Sequence, residues 1–314
     1  MEFKNLSDRP LRLGNQKNTK EGLTKIIVLP DYCPGDGELP TGVVAVYDRT
    51  KHKITSDYLG PDVGCGMVLA RFKAPIENLE ASIYDTINNL RNGTKELGSL
   101  GSGNHFIDIY HPHSAIPELD IKKDDSLVLI HSGSRLKGKQ VYETGFVEGA
   151  YLAEYKKLIE FGKHNRKRLL GIVEESFDNG TDVIFDSVHN SLEYDPQKVI
   201  YRKGAVKLTP GEITIIPSSM AGEAIIVKGK ENIGELENSI CHGTGRKISR
   251  SDAKEMDMHF DEIRKQMFIP SIITDKNIKS EHPYCYRLIK EIIPKIKDYV
   301  EFIGKLNPIA YCSQ

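Results

Sequence analysis

No stretch of this 314-residue chain carries an apolar run that approaches the roughly 18 residues a bilayer-spanning helix needs. No membrane-spanning helix is therefore expected within it. The opening residues, MEFKNLSDRPLRLGNQ, hold no apolar core of the kind found in secretory signals, so a cytoplasmic protein with no membrane partner is expected. Cysteine is sparse, with five residues at positions 33, 65, 241, 285 and 312. An odd, scattered set argues against a disulfide framework and leaves thiols free for metal or redox chemistry. An excess of one charge is missing as well. Lys and Arg number 43 against 44 Asp and Glu, a formal net charge of -1, so no global basic field draws in nucleic acid. Any RNA would need a local basic groove. What is present, 39% hydrophobic and 28% charged residues, is the profile of an ordinary globular chain long enough to bury a core.

No internal repeat or low-complexity linker interrupts the chain. Residues 25–30 (KIIVLP) and 42–47 (GVVAVY) read as short buried strands flanking a turn-rich PDYCPGDGELPTG. Residues 66–72, 105–110 and 126–131 read as further strands, and residues 181–189 return to strand after a long helical stretch over about 140–176. Helical apolar spacing over 75–92 runs through Ile76, Leu79, Ile83, Ile87 and Leu90 to an Asn92-Gly93 C-cap. β-Rich segments continue to about residue 229. The last third is expected to be helical, over 249–267 and 283–304, with Ser249 and Asp252 at capping-box spacing. The expected fold is α+β: a single domain over 1–314 with a mixed or antiparallel sheet core and flanking helices.

The chemistry-bearing residues sit where strands meet glycines. Cys65 lies in PDVGCGM, His105 in GSLGSGNHF, His131 in LVLIHSGSR, His189 in DSVHN and His242 in CHGTGR. A strand end aims a side chain from a rigid element into a cleft, and an adjacent glycine lets a ligand reach the backbone. Asp62 and Cys65 pair a hard oxygen with a soft thiolate, and imidazoles complete a set suited to a borderline divalent metal. Ligand softness alone favours zinc over manganese. Taken singly, a buried cysteine or histidine is more often a core residue; five together beside glycines favour a site. Basic residues follow the candidate histidines: Arg135, Lys137 and Lys139 after His131, Arg202 and Lys203 in YRKGA, and Arg246, Lys247 and Arg250 after His242. Guanidinium forks suit phosphates, although charge runs are commonly solvated surface.

PDVGCGM, GSGNHF, HSGSR, HN at 189–190, RKGA, IPSSM and HGTGRKISR occur in this order, and in this the chain resembles the RtcB-type RNA ligases from about residue 29 onward. The resemblance implies a GTP-dependent, manganese-dependent enzyme. It joins RNA ends bearing a 3′-phosphate or 2′,3′-cyclic phosphate to 5′-hydroxyl ends, in tRNA splicing or RNA repair. Cys65 would bridge two Mn2+ ions, with His131 and His189 completing one site and Asp62 and His105 the other. His242 would become guanylylated. Nucleotide contacts would fall to Asn104, Asp108, Arg135, Asn190, Lys203, Ser219, Gly243, Gly245, Arg246 and Tyr286, and RNA contacts to Arg135, Arg166, Lys203 and Arg250. An archease-type activator is a further implied partner.

The chain departs from the family pattern in three respects. Cys33 stands where the family's PDVH motif has histidine. Asp108 replaces a glutamate, and Ser313 and Gln314 occupy the place of a terminal Lys-Gly pair. Two other readings therefore stand beside the ligase: a metal-dependent enzyme that activates or hydrolyses RNA ends without sealing them, and a non-catalytic RNA-end binding protein.

Overall fold

The computed structural model describes residues 1–13, 21–35, 37–92, 97–101 and 104–313; Gly93 of the expected C-cap and Gln314 lie outside them. The fold is α+β. One sheet has five strands in the order β1 (Glu2–Asn5), β2 (Leu23–Cys33), β3 (Thr41–Asp48), β9 (Lys198–Lys203), β8 (Asn190–Tyr194). The other has seven: β11 (Ile213–Pro217), β12 (Ala224–Gly229), β14 (Val300–Cys312), β5 (Phe106–Pro112), β6 (Leu127–Ser132), β4 (Gly66–Phe72), β7 (Thr181–Val188). A short antiparallel ribbon, β10 (Ala205–Lys207) with β13 (Ser239–Cys241), joins them. Pairing is antiparallel within both sheets except β1 on β2.

The central strands are continuous apolar runs because they are covered on both faces. β3 buries Val43, Val44, Ala45, Val46 and Tyr47, and β6 buries Leu127 through Ile130. α1 (Leu79–Asn92) and α3 (Glu148–Phe177) cover the larger sheet, with Ile83, Ile87 and Leu90 from one and Leu169, Leu170, Ile172 and Val173 from the other entering the same core. A second core lies between β2, β12, the ribbon and α7 (Ile289–Ile296), and a third lies on the opposite face of β2 and β3.

Several boundaries differ from expectation. The long helical stretch is two helices, α2 (Leu136–Thr144) and α3, divided by Gly145 at φ 70°. The stretch at 249–267 is likewise two short helices, α4 (Arg250–Glu255) and α5 (Asp261–Gln266), with α6 (Asp275–Ile278) beyond them. Ser249 caps α4 by accepting from the Asp252 amide at 3.1 Å. The largest correction is at the end of the chain. The apolar spacing of Ile289, Ile292 and Ile296 continues toward Val300 and Ile303 at helical period, yet α7 stops at Ile296 and the chain turns into β14. The free edges of β12 and β5 claim this segment, and pairing on both sides overrides local periodicity.

Candidate active site and metal centre

Sheet register brings the site together. On β4, Gly66 pairs with Ser132 and Met67 with His131 of β6, while Gly66 pairs on its other side with Val188 of β7. Phe106 pairs with His131. Cys65, His105, His131 and His189 thus occupy one end of four adjacent strands. The line continues through backbone bonds: the His189 amide donates to the Cys65 carbonyl at 2.9 Å, and the Ala205 amide to the His189 carbonyl at 2.9 Å. Ala205 pairs with Cys241 across the ribbon, which sets His242 beside Gly204.

The side chains converge accordingly. Cys65 Sγ lies 3.3 Å from His105 Nε2 and 3.2 Å from His131 Nε2, and His131 Nε2 lies 3.2 Å from His189 Nε2. The ligand atoms of Cys65, His131 and His189 all fall within 4.8 Å of one another and are buried. Two nitrogens bound to one tetrahedral ion at about 2.1 Å sit roughly 3.4 Å apart, so the observed spacing is close to the edge of a coordination polyhedron. His105 Nδ1 donates to the Leu100 carbonyl at 2.7 Å, leaving the lone pair of a neutral ring on Nε2, facing the sulfur. Such a backbone partner is what orients a metal-binding imidazole. Burial above all pushes the His131 and His189 imidazoles well below their usual range and lowers His105 as well, which keeps lone pairs available. Burial, reinforced by Asp62, pushes the Cys65 thiol up, so a cation binding there must displace its proton. Asp62 reaches the same cleft and acts electrostatically on both Cys65 and His105. The donor set fits one divalent ion closely, and Asp62 with His105 and the shared sulfur offers the makings of a second.

His242 stands at the next place in the row, its ring centroid 4.6 Å from that of His189. Its Nδ1 is 2.6 Å from Asp31 Oδ2 and 2.9 Å from the Gly204 carbonyl. Both partners accept, so Nδ1 carries the hydrogen and the lone pair of the neutral ring is left on Nε2. The His242 amide also donates to Asp31 Oδ2, at 3.2 Å. Asp31 is fully buried in β2 and was not named as a site residue in the sequence, where it falls in the turn-rich stretch after residues 25–30. Two glycines permit this approach. Gly204, at φ 61°, has Thr41 and the His242 ring where a Cβ would go, and Gly245, at φ 76°, lies against the Asp31 backbone.

These residues open into a cleft of about 580 Å³ lined by Asn104, Asn190, Lys203, Gly243, Gly245, Arg246, Arg250 and Tyr286 in addition to the histidines. A smaller recess beside it is lined by Asn104, Asp108, Ser219, Glu281, Tyr286 and Tyr311. Asp108 is buried, and one of its oxygens has no hydrogen-bond partner among the described residues. Burial drives its carboxyl well above the usual range, opposed by the Tyr110 hydroxyl that donates to it at 3.3 Å. Asn190 spends its side chain internally, donating to the Asp62 carbonyl at 3.0 Å and accepting from the Gly204 amide at 2.7 Å. Lys203 Nζ donates to the Leu59 carbonyl. Arg246 donates to the Tyr286 hydroxyl at 2.8 Å, and that hydroxyl in turn donates to Glu281.

Two expected contacts are placed elsewhere. Arg166 is wholly buried, bonded to Asp186 at 2.6 Å and to the Gly64 and Ser132 carbonyls at 3.0 and 2.9 Å. It braces the strands that carry Cys65 and His131, and direct contact with RNA is not open to it. Its spacing on α3 gave no sign of this, because burial of one helix face depends on what packs there. Arg135 is half-buried against Gly101 and bonded to the Ser99 carbonyl, beside His105 rather than on the wall of either cavity.

A family model described as tRNA-splicing ligase RtcB matches residues 86–148 and 145–314. The chain belongs to the RtcB family. An RNA-splicing ligase RtcB from Escherichia coli (strain K12) is 28% identical over 263 residues, covering 69% of this chain and 61% of that protein. A tRNA-splicing ligase RtcB from Nanoarchaeum equitans is 26% identical over 301 residues, covering 74% and 63% respectively. One from Pyrococcus furiosus is 25% identical over 286 residues, covering 69% and 30%. This RtcB-family chain therefore spans less than two thirds of the length of those relatives. No helix among the described residues is long and apolar enough to cross a membrane.

Proposed function

We propose that this RtcB-family chain is an RNA ligase that uses GTP and divalent manganese to join an RNA 3′-phosphate, or a 2′,3′-cyclic phosphate first opened by water, to a 5′-hydroxyl. The observation that carries this reading is His242, held by Asp31 through Nδ1 and lying beside His189 at the end of a Cys/His cluster of metal-binding spacing.

Cys65, His131 and His189 would hold one ion and Asp62, His105 and Cys65 a second; when bound, the cations supply charge that stabilises the polyphosphate as it departs. His242 Nε2 attacks the α-phosphorus of GTP. A P–N bond forms, the bond to the β-phosphate oxygen breaks, and pyrophosphate leaves. Asp31 and the Gly204 carbonyl keep the proton on Nδ1 and stabilise the positive charge that the ring acquires. The RNA 3′-phosphate oxygen then takes GMP from the histidine, and the 5′-hydroxyl attacks the activated phosphorus, losing its proton as GMP departs. Arg246 and Arg250 face the cleft where phosphates would lie. Asp108, in the adjoining recess, would read the base. A cytoplasmic setting and an archease-type activator belong to the same reading.

The test is to incubate the protein with α-labelled GTP and manganese. A covalent adduct that is absent in His242→Ala, with sealing of a 3′-phosphate/5′-hydroxyl nick, supports the ligase. Cys33 lines the cleft, where the family pattern has a histidine, and this favours a second reading in which ends are activated but not sealed. An adduct without sealing would select it. Tight RNA binding with no adduct would select a non-catalytic end-binding protein. Repeating the labelling with ATP measures how strictly the recess demands guanine.

A further inference from the structure

The described residues that precede the matched family region include a short amino-terminal arm whose sequence showed no motif. β1 lies on the edge of β2, and the Leu6 amide extends that ladder to the Val28 carbonyl at 2.8 Å. The arm then folds back tightly. Asn5 Nδ2 and Ser7 Oγ donate to the Arg9 carbonyl at 3.1 and 2.9 Å, and the Arg9 amide donates to Ser7 Oγ at 3.1 Å. Asp8 pairs with Lys295 at 2.5 Å, and the Arg12 amide donates to the Tyr32 hydroxyl at 2.9 Å. Arg9 is thus held on both sides, and its side chain enters the wall of the active-site cleft.

Basic side chains outnumber acidic ones on the cleft wall, although Asp31 and Asp8 act on Arg287, and Lys247 and Arg250 lie 3.9 Å from Glu291 and Glu281 respectively. The Arg9 guanidinium donates to the Lys247 carbonyl at 2.9 Å and, among the described residues, forms no ion pair with a carboxylate. Among the described residues, its neighbour Arg287 donates to the carbonyls of Arg246 and Tyr32, at 3.1 and 3.2 Å. Burial first, and then the charge of Arg9, push Arg287 below its usual range. Lys247 and Arg250 face the same cleft, whose lining carboxylates are Asp62 at the metal centre and Asp252 on α4. A rigidly presented guanidinium with donors to spare, crowded by like charge, is a receptor for a phosphate.

We propose that Arg9 holds a phosphate of the RNA strand in the cleft, so that the amino-terminal arm forms part of the RNA-binding surface. This rests on the ligase reading for the identity of the strand. The same chemistry could take a phosphate of the nucleotide instead, and the two sources are separable by experiment.

Binding of a fluorescent single-stranded RNA with a 3′-phosphate is followed by anisotropy between 50 and 300 mM salt, approximate limits that span the steep range for phosphate contacts. In parallel, GTP binding with manganese is measured in the absence of RNA. Arg9→Ala is expected to weaken RNA binding about tenfold and to reduce the salt slope by about 0.7, the value for one lost single-strand phosphate contact. Arg9→Lys is expected to restore the slope and part of the affinity, which a purely structural role would not do. Equal RNA affinity and slope in a folded Arg9→Ala, verified by an unchanged thermal midpoint, overturns the proposal. A loss of GTP affinity with RNA binding intact also overturns it, assigning the phosphate to the nucleotide. Failure of the unaltered protein to bind any RNA ends both this proposal and the ligase reading, whereas RNA binding indifferent to Arg9 ends this one alone.

Discussion

Replacing Asp31 by asparagine removes one charge and leaves almost every contact in place. The carboxylate accepts from both Nδ1 and the backbone amide of His242, at 2.6 and 3.2 Å. A hydrogen bond to a charged acceptor contributes about 1.5–3 kcal/mol, and here it strengthens as the ring becomes cationic during attack. Its loss corresponds to roughly a 10- to 200-fold slower reaction at about 1.4 kcal/mol per decade. A second effect adds to this. An amide that turns its NH2 toward Nδ1 would drive the proton to Nε2 and occupy the attacking lone pair. The Gly204 carbonyl, 2.9 Å from Nδ1, still favours the productive tautomer, so the loss should stay near about 100-fold, short of the roughly 10,000-fold seen where a lone carboxylate sets the tautomer. The assay is the initial rate of covalent labelling of His242 by α-labelled GTP, with the thermal midpoint as control. A folded Asp31→Asn protein labelling within about threefold of the parent rate would refute the argument that Asp31 prepares the nucleophile.

Cys65→Ala should lose most bound metal by elemental analysis and abolish the adduct, because one sulfur lies against both His105 and His131; unaltered metal content would overturn the ligand assignment. Arg166→Leu should destabilise the fold by about 3–5 kcal/mol in urea unfolding, since it strands Asp186 and two backbone carbonyls; a shift below about 1 kcal/mol would show that the brace is dispensable. His52, stacked on Tyr47 at 4.0 Å and bonded to Tyr201 at 3.0 Å, is pushed down to about 4 from 6.5 by burial, with Arg49 adding to the effect. Its folded value lies below its unfolded one, so the unfolded chain binds the extra proton. The contribution of this group is full above about pH 6.5 and declines as pH falls toward about 4, by at most about 3 kcal/mol. His52→Phe should flatten stability against pH in that window, and an unchanged slope would contradict the assignment.

Much of the site was legible because its chemistry is local. Cys65, His105, His131 and His242 each sit within two residues of a glycine at a strand end, which is readable from a few residues, whereas His189 is marked only by the end of its strand. Asp31 was not legible in that way. Its partner lies 211 positions away, and an acid in a turn-rich stretch carries no sign of what it faces. Arg9 is similar, since only the fold-back of the arm brings it to the cleft. Arg166 misled in the opposite direction, because the family resemblance implied an RNA contact while its environment made it a brace.

The sequence alone determined the alternation of strands and helices over most of the chain, the residue types able to bind metal, and their placement at turns, all of which depend on neighbours within a few positions. The tertiary structure decided that residues 300–312 form a strand, because the gap between β12 and β5 offers hydrogen bonds on both edges that no local periodicity records. It also decided that the four histidines form a row and that His242 faces Asp31, through sheet register and the β10–β13 ribbon. Register is a relation between distant segments, and a one-residue slip would turn each of these side chains to the opposite face.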